Sequence, residues 1–164
     1  MQTLTLEWKK LSPNAQIPKL QTAGAACFDL VACMDAPLEI KSGEVHLIPT
    51  GLAVAIPSGY EMQVRARSGL AAKHGFCLVN GIGTIDSDYR GEIKIIASLL
   101  KSNTVLTIQP GDRIAQACLA PTFQVEHKEV SELDSTERGA GGFGSTGVSV
   151  DAQSSAAPSC CGGH

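Results

Sequence analysis

The side chains best suited to chemistry are concentrated in residues 83–92, Gly-Thr-Ile-Asp-Ser-Asp-Tyr-Arg-Gly-Glu. Two acids, an aromatic ring and a cation stand close together there, at Asp86, Asp88, Tyr89 and Arg90. A carboxylate that is held in place can act as a general base toward water. Apolar alternating segments on both sides predict flanking strands, which would aim these side chains into a fixed pocket. The competing interpretation is a charged hairpin turn, since Asp, Ser and Gly favour turns for backbone reasons alone.

Two further stretches carry groups that can bind anions. Arg67-Ser68-Gly69 lies where a predicted strand ends and a predicted helix begins, and free N–H groups with the helix dipole suit phosphate there. The alternative is an ordinary helix cap beside a solvated arginine. Residues 111–116, Gly-Asp-Arg-Ile-Ala-Gln, add an Asp-Arg pair after a turn and an inward Gln116. The alternative for that stretch is a surface turn that leads into a strand.

A glycine-rich segment, residues 139–144, matches the pattern G-x-G-x-x-G. A dinucleotide-binding fold needs a strand before this pattern and a helix after it, and neither is predicted, so we reject that interpretation. It is not a Walker loop either, because no Gly-Lys-Ser/Thr follows. What remains is a flexible arm that could close over a phosphate, or else a disordered tail. Its candidate groups are Arg138, Phe143, Ser145 and Thr146.

The composition of the 164-residue chain excludes several classes of protein. A formal net charge of −3 leaves no broad basic surface for nucleic acid. The longest purely apolar runs, such as residues 52–56, are far too short to span a bilayer, and residues 1–10 lack the apolar core of a signal peptide. We therefore expect no nucleic-acid or membrane partner and a cytoplasmic location, or a nuclear one in a eukaryote.

The cysteines and histidines predict no metal centre. None of the six cysteines forms a C-x-x-C pair, and the histidines lack metal-ligand spacing. Since nothing suggests secretion, we interpret the first four cysteines as small buried hydrophobic residues in a reducing cytosol. These are Cys27, Cys33, Cys77 and Cys118.

Short strands separated by turns must position the candidate groups. Residues 60–67 alternate apolar and polar side chains, which predicts a strand. Ser68 as N-cap and Gly75 as terminator predict one helix of about two turns. Many short strands and one helix predict an all-β barrel or sandwich of jelly-roll type. Further strands are predicted at 76–80, 92–100, 104–109 and 113–120, with a candidate edge strand at 123–130.

Five stretches stand in a fixed order along the chain: residues 25–32 (Ala-Ala-Cys-Phe-Asp-Leu-Val-Ala), 67–71 (Arg-Ser-Gly-Leu-Ala), 83–91, 111–116 and 138–147. Together they resemble the five ordered motifs of the trimeric deoxyuridine triphosphatases, the dUTP pyrophosphatases. The similarity extends over roughly residues 4–147, with the order and spacing of that family.

The resemblance implies a homotrimer of distorted jelly-roll β-barrels with three active sites at subunit interfaces. It implies a barrel domain over residues 1–130 and a glycine-rich active-site arm over 131–147. Residues 148–164 are rich in Ser, Ala and Gly with little to bury, so we expect a mobile tail there. The implied reaction is hydrolysis of dUTP to dUMP and diphosphate with Mg2+. That reaction would keep uracil out of DNA and supply dUMP for dTMP synthesis.

The resemblance also implies roles for residues that match the family motifs. Asp86 would orient and activate the attacking water, and Tyr89 would pack on the deoxyribose and leave no room for a 2′-hydroxyl. Asp29 would hold metal-bound water. Asn80 would bind uracil together with main-chain groups of the same hairpin, from Gly83, Thr84 and Ile85.

Two further sets of matching residues would bind the phosphates and close the site. The phosphate contacts would be Arg67, Ser68, Gly69 and Gln116. The closing arm would contribute Arg138, Phe143, Gly144, Ser145 and Thr146, with Phe143 over the uracil and Arg138 near the γ-phosphate.

The first motif departs from the common pattern, because Cys27-Phe28 stands where Gly-Tyr or a similar pair is frequent. Since Asp29 is present, we interpret this as a packing variant. A deoxycytidine triphosphate deaminase is the nearest alternative enzyme, and it would release ammonia and keep the triphosphate. A catalytically silent nucleotide-binding trimer and a purely structural trimer are the alternatives from other classes.

Overall fold

The structure, a computed structural model, describes residues 3–144, which form mostly short β-strands with one helix. The chain divides into two compact units, one ending at Gln124 and the other beginning at Val125. All regular elements of the described residues lie in the first unit, which confirms the all-β class with one short helix. They are β1 Glu7–Lys10, β2 Phe28–Val31, β3 Leu38–Lys41, β4 His46–Pro49, β5 Leu52–Ala55, β6 Tyr60–Arg65, α1 Ser68–His74, β7 Phe76–Leu78, β8 Gly83–Ile85, β9 Lys94–Leu99, β10 Val105–Ile108 and β11 Arg113–Pro121.

The strands form four antiparallel sheets. β1 pairs with β5, and β10 pairs with β3. A four-stranded sheet has the order β2-β11-β6-β8, and a three-stranded sheet has the order β4-β9-β7. Over residues 3–144 these sheets do not close into one continuous barrel.

The inward faces of the sheets contribute to one hydrophobic core of mostly aliphatic side chains. Strand β6 illustrates how the sequence produces it, since Met62 and Val64 are buried while Arg65 is exposed, as alternation predicts. Each fully buried large apolar side chain contributes about 1.5–3 kcal/mol by removing surface from water. The largest of these side chains include Phe76, Leu30, Ile40, Ile48, Ile93, Ile95 and Ile114.

Helix α1 ends as predicted but begins differently. Gly75 terminates it in the left-handed conformation, with φ of 68°, and its N–H bonds back to Ala71 O at 2.9 Å. Ser68 is the first helical residue rather than the N-cap, so that prediction is wrong. Arg67 occupies the N-cap position without a side-chain cap, because a guanidinium has no acceptor for the free N–H groups of the first turn. Among residues 3–144 no helix is long and apolar enough to cross a membrane.

The candidate edge strand at 123–130 is absent, because β11 ends at Pro121 and no strand follows within the described residues. The alternation in that segment is real, but Phe123 and Val125 are largely exposed. An apolar alternating segment becomes a strand only when a sheet edge is available to pair with it.

The strands predicted on both sides of residues 83–92 are confirmed, since they form β7 and β9, but the connection between them is longer than a hairpin turn. β8 pairs with β6, with Ile85 opposite Met62, whereas β7 and β9 pair with each other in the three-stranded sheet. The stretch therefore connects two sheets. The sequence indicates the two flanking strands, whereas the pairing of β8 with β6 has no local signal.

The first four cysteines are free and only half-buried, so the prediction that they are buried hydrophobic residues is wrong. Strand alternation is the reason. Phe76 and Leu78 point into the core, so Cys77 between them points away from it. Cys118 likewise follows the buried Ala117 on β11.

The described part of the second unit, residues 125–144, contains turns but no strand or helix. Arg138 and Gly141 bond to each other twice, through Gly141 N to Arg138 O at 3.0 Å and Arg138 Nε to Gly141 O at 2.8 Å. The division into 1–130, 131–147 and 148–164 stays a prediction, and residues 148–164 lie outside the described part of the chain.

Candidate active site

A cavity of about 430 Å³ in the first unit gathers most of the residues predicted around the base, sugar and water. Six predicted residues line it: Asn80, Gly83, Thr84, Ile85, Asp86 and Tyr89. A pocket of this volume and mixed lining is of the size that small-molecule ligands occupy. The structure therefore brings this part of the predicted site together within one chain.

Asp86 opens a tight turn whose backbone is fixed on both sides. Tyr89 N donates to Asp86 O at 3.2 Å, which closes the turn. Arg90 Nη1 donates to the carbonyl oxygens of Ser87 and Tyr89 at 2.7 and 2.8 Å. The carboxylate of Asp86 is exposed on the cavity wall, so it can reach a water or a ligand there.

The ring of Tyr89 is held against the chain that follows it. Its hydroxyl donates to Glu92 O at 3.0 Å. Gly91 must lack a side chain, since a Cβ there would lie 2.6 Å from Tyr89 Cζ and closer still to its hydroxyl oxygen. The absence of a Cβ at Gly91 thus determines where the ring stands in the cavity.

Asn80 stands beside Gly83 on the cavity wall. A Cβ on Gly83 would lie 3.2 Å from Asn80 Nδ2 and 3.4 Å from Val64 Cβ. Gly83 is buried and pairs with Val64 on β6. Its bare backbone therefore permits the amide of Asn80 to come close to the strand.

Several residues of the cavity wall were not predicted as site residues from the sequence. Glu92 accepts a bond from Gly51 N at 2.9 Å through Oε1, and its Oε2 pairs with Lys94 Nζ at 3.4 Å. Glu92 lies in the stretch singled out above, and β7 and β9 beside it add four more wall residues, whereas Leu47 and Val64 come from strands farther away along the chain. The remaining wall residues are Leu47, Val64, Leu78, Lys94, Ile95 and Ile96.

A second group of predicted residues surrounds Asp29. Its Oδ1 pairs with Arg67 Nε at 3.0 Å, and its Oδ2 pairs with Arg113 Nη1 at 3.1 Å. Arg67 Nη1 also donates to Arg113 O at 2.8 Å. The Asp29 side chain is only 13% exposed, so the two guanidinium groups compensate a largely buried carboxylate. This group can offer cationic donors to a phosphate.

A β-bulge in β11 brings Arg113 into that group. The register shifts between Arg113 and Ala115, so that Ile114 and Ala115 are both buried in succession. Arg113 and Gln116 consequently share the polar face although they are three residues apart. Simple alternation would have placed Arg113 on the opposite face, so its pairing with Asp29 could not be predicted.

Gln116, Ser68 and Gly69 are the other predicted phosphate contacts. Gln116 lies opposite Asp29 on the neighbouring strand, and its Nε2 donates to Ala66 O at 2.9 Å. Ser68 and Gly69 are exposed in the first turn of α1, next to Arg67. All three are therefore near the Asp29 group along the sheet and its junction with α1.

Within one chain the two groups do not meet. Asp29 stands on β2 and Ile85 on β8, three strands away in the order β2-β11-β6-β8. Three strand spacings amount to about 14 Å across the sheet. Within one chain Asp29 and Asp86 therefore do not stand side by side.

The residues present fit a metal ion that is held mainly by a ligand and by water. Among residues 3–144, no three His, Cys, Asp or Glu side chains converge into a metal site. Mg2+ commonly takes one or two carboxylates, substrate phosphates and several waters. Each oxygen of Asp29 is paired with one arginine nitrogen and keeps lone-pair capacity for a water. Asp29 thus suits contact through water.

The arm residues can be described only in part. Phe143 has a positive φ of 50° and is fully exposed, and Gly144 follows with φ of 91°. Arg138 bonds within its own turn, as described above. Ser145 and Thr146 lie outside the described residues.

The amino-acid sequence matches a family model described as dUTPase over residues 13–147. It is 57% identical over 132 residues to the deoxyuridine 5'-triphosphate nucleotidohydrolase of Desulfotalea psychrophila, covering 80% of this chain and 87% of that protein. It is 56% identical over 144 residues to the enzyme of the same name from Nautilia profundicola, covering 88% of this chain and 99% of that protein.

The fold is similar to solved dUTPase structures. The dUTPase of Staphylococcus bacteriophage 80alpha with dUPNHPP matches with a TM-score of 0.80 and 29% identity, covering 89% of this chain and 100% of that chain. A mutant dUTPase from phage phi11 of S. aureus, whose structure concerns the coordination of a structural Mg(II) ion, matches with a TM-score of 0.71 and 25% identity, covering 79% and 98%.

Proposed function

The chain belongs to the dUTPase family and is a dUTP nucleotidohydrolase, and we propose that it cleaves dUTP by water attack on the α-phosphate, assisted by Mg2+. The products are dUMP and diphosphate. The single observation that carries this proposal is the cavity lined by Asn80, residues 83–85, Asp86 and Tyr89. It offers a base-binding end, an aromatic ring and a carboxylate side by side.

Asp86 is the general base of the proposed mechanism. It orients the attacking water and takes its proton as the new P–O bond forms at the α-phosphorus, while the bond to the leaving diphosphate breaks. A general base must lie within about 2.6–3.2 Å of the water that it deprotonates. The fixed turn at Asp86 supports this role, because a carboxylate on a rigid backbone loses little orientation before reaction.

Tyr89 and the Asn80 end of the cavity give the proposed selectivity. The ring of Tyr89, held between its bond to Glu92 O and the bare Gly91, packs on the deoxyribose and excludes a 2′-hydroxyl. Asn80 and the main chain of residues 83–85 pair with the uracil edge. Cytosine would leave buried donors and acceptors unpaired. The C5 methyl group of thymine would clash sterically with the apolar wall.

The phosphates are bound by the group around Asp29 and by the closing arm. Arg67 and Gln116, together with the helix start at Ser68 and Gly69, offer donors to the phosphate oxygens. Arg138 approaches the γ-phosphate and Phe143 covers the uracil, with Gly144, Ser145 and Thr146 in the same arm. Two arginines already lie beside Asp29, which supports a site for concentrated negative charge.

Asp29 would hold Mg2+ through water, as its remaining lone pairs allow. When bound to the triphosphate, Mg2+ neutralises charge on the phosphates and on the leaving diphosphate. The role of this chain is to orient Asp29 by two arginines, so that the carboxylate faces the phosphate group rather than the solvent.

We propose that the enzyme is a homotrimer in which each active site draws on more than one subunit. The separation of Asp86 from the Asp29 group within one chain supports this arrangement. Apolar side chains on the surface of the first unit also support a subunit interface, since Leu47, Val79 and Ile82 are more than half exposed. A second copy would cover them and bring an Asp29 group to the cavity.

The proposed place of the reaction is the cytoplasm, or the nucleus in a eukaryote. There the enzyme would lower the dUTP available to DNA polymerases and supply dUMP for dTMP synthesis. Both consequences follow from the reaction itself.

Product analysis tests the reaction directly. The purified enzyme is incubated with dUTP, dTTP, dCTP or UTP, with Mg2+ or with a chelator, and diphosphate and ammonia are both measured. We expect diphosphate from dUTP alone, with Mg2+ required for full rate. Ammonia release from dCTP would favour the deaminase, and binding of dUTP without any product would favour a silent nucleotide-binding trimer.

A further inference from the structure

Cys27 directly precedes β2, and Cys118 lies on the neighbouring antiparallel strand β11. In the register of β2 and β11, Asp29 faces Gln116 and Phe28 faces Ala117. Extending this register by one residue sets Cys27 opposite Cys118. Both thiols are free and half-buried. The departure from the family pattern at position 27 thus places a second thiol next to the one on β11.

Both thiols lie on the polar face of the four-stranded sheet. Phe28 and Ala117 point the other way, and Ala117 is fully buried in the core. Cys27 therefore shares its face with Asp29, and Cys118 shares it with Gln116. The four side chains form two adjacent rows, one of thiols and one that belongs to the proposed phosphate site.

The geometry of opposite residues in an antiparallel pair is compatible with a disulfide. Their Cα atoms lie about 4.5 or 5.5 Å apart, and both separations fall within the range of about 4.4–6.8 Å found for disulfides.

We propose that Cys27 and Cys118 are a modification site, at which a low-molecular-weight disulfide such as oxidised glutathione forms a reversible cross-strand disulfide. One thiol loses its proton and attacks the reagent, which gives a mixed disulfide and releases one reduced thiol. The second cysteine then attacks the mixed disulfide and releases another. In total two protein thiols are oxidised, one reagent disulfide is reduced to two thiols, and the protons pass to the released thiolates.

The other two described cysteines lack this arrangement and serve as internal comparisons. Cys77 faces Ser98 on β9, and its thiol donates to Ser98 O at 3.6 Å. Cys33 packs against Gly51, where a Cβ would lie 2.7 Å from its sulfur. Among the described residues, neither one stands opposite another cysteine on a paired strand.

Closure of the disulfide should alter the neighbouring row of the phosphate site, a consequence that rests on the proposed function. A disulfide between Cys27 and Cys118 would lie two residues along the strands from Asp29 and Gln116. It would fix the separation of β2 and β11 there, and therefore that of Asp29 and Gln116. A displacement of a positioning group by about 1 Å can lower turnover by about 100-fold. We expect at least a several-fold fall in kcat/KM for dUTP, which a dithiol reductant reverses.

Peptide mapping of the full-length enzyme tests the modification site. The folded protein is incubated with oxidised glutathione for hours, the time that uncatalysed exchange needs, and remaining thiols are blocked before tryptic digestion. Cys27 and Cys33 share the tryptic peptide 20–41, whereas Cys118 lies in 114–128. The mapping is therefore repeated with Cys33→Ser, and with Cys77→Ser as a matched control.

The expected result is a cross-linked pair of peptides 20–41 and 114–128 in the wild type, in Cys33→Ser and in Cys77→Ser. It should be absent in Cys27→Ser and in Cys118→Ser, each of which should instead carry a glutathione adduct on the remaining cysteine. Loss of the cross-link in Cys33→Ser would overturn the assignment. So would separate adducts on both cysteines of the wild type, the absence of reaction, or a cross-link between two chains on a non-reducing gel.

The effect of the disulfide on enzyme activity is measured separately. If the cross-link forms and kcat/KM for dUTP is unchanged, the modification site stands and its control of the phosphate site is refuted. If the reduced enzyme does not hydrolyse dUTP at all, the proposed function fails. The peptide map still shows whether the disulfide between Cys27 and Cys118 forms.

Discussion

At the scale of single residues, the site depends on small constraints around Asp86 and Tyr89. Arg90 bonds to two carbonyl oxygens of the turn and holds its backbone. Gly91 leaves the space into which the hydroxyl end of Tyr89 fits. These residues need not touch the substrate, yet they decide where the carboxylate and the ring stand.

Replacing Asp86 by Asn should lower kcat by about 10²–10⁴-fold, the usual contribution of a general base. The amide has nearly the same shape, so nucleotide binding should remain close to normal. Turnover is measured by diphosphate release and binding by calorimetry with a non-hydrolysable analogue. Asp88→Asn is the matched control, because Asp88 lies in the same turn but not on the cavity wall. Unchanged turnover in Asp86→Asn would remove Asp86 from the mechanism.

Replacing Tyr89 by Ala should admit UTP, since the ring would no longer occupy the space of a 2′-hydroxyl. Gly91→Ala should have a similar effect, because the added Cβ overlaps the Tyr89 ring and displaces it. Tyr89→Phe keeps the ring and loses only the bond to Glu92 O, so it should retain selectivity. The measurement is the ratio of kcat/KM for dUTP to that for UTP. If Tyr89→Ala keeps the wild-type ratio, the ring is not the gate.

At the scale of elements, the bulge in β11 determines what the polar face can do. It lets Ile114 and Ala115 both enter the core, so Arg113 joins Gln116 on the outer face. Arg113 then completes the pair of cations on Asp29. A single irregularity in one strand thus assembles a charge cluster from residues on three segments of the chain.

The limits of sequence reasoning also lie at this scale. The alternation of β6 and the stop at Gly75 were predictable, because they depend on local periodicity and on a left-handed turn residue. The side chains around Asp86 were predictable because they are contiguous. The role of Arg113 was not predictable, since the bulge moves its side chain to the other face of the sheet and the sequence carries no local signal of a bulge. The wall residue Leu47 was missed because it comes from a distant strand.

Truncation after Glu137 should leave a folded enzyme that binds nucleotide and turns it over poorly. The strands, α1 and the hydrophobic core all lie before Val125 in the described chain, so the thermal midpoint should change little. Turnover should fall because Arg138, Phe143 and the rest of the arm are gone. A shorter truncation after Gly147, which removes only residues 148–164, is the matched control and should keep full activity. Wild-type kinetics from the longer truncation would show that the arm is only a tail.

At the scale of the whole molecule, one chain holds two separate groups of candidate site residues. The cavity and the Asp29 group occupy opposite edges of the four-stranded sheet. Rotational symmetry in a homotrimer can set the cavity of one copy against the Asp29 group of the next, three times over. The exposed Leu47, Val79 and Ile82 would then be buried between copies.

Mixed trimers test this sharing. Asp86→Asn and Arg67→Ala should each be inactive alone, but co-expressed in equal amounts they should recover about one quarter of wild-type activity if mixing is random in a symmetric trimer. That fraction is the chance that a cavity with intact Asp86 meets a neighbour with intact Arg67. Native mass spectrometry verifies that mixed trimers have formed. No recovery despite mixed trimers would mean that each site lies within one chain.

The wall of the cavity belongs to two sheets at once, with Gly83 and Ile85 from the four-stranded sheet and Leu78 and Ile95 from the three-stranded one. Its width therefore depends on how those two sheets pack against each other. One of its wall residues, Ile95, is also a buried core residue. Substitutions in the interior that alter the spacing of these two sheets should therefore also change the width of the cavity, even when they lie away from the nucleotide. A change in core packing can thus affect both the stability of the fold and the choice of substrate.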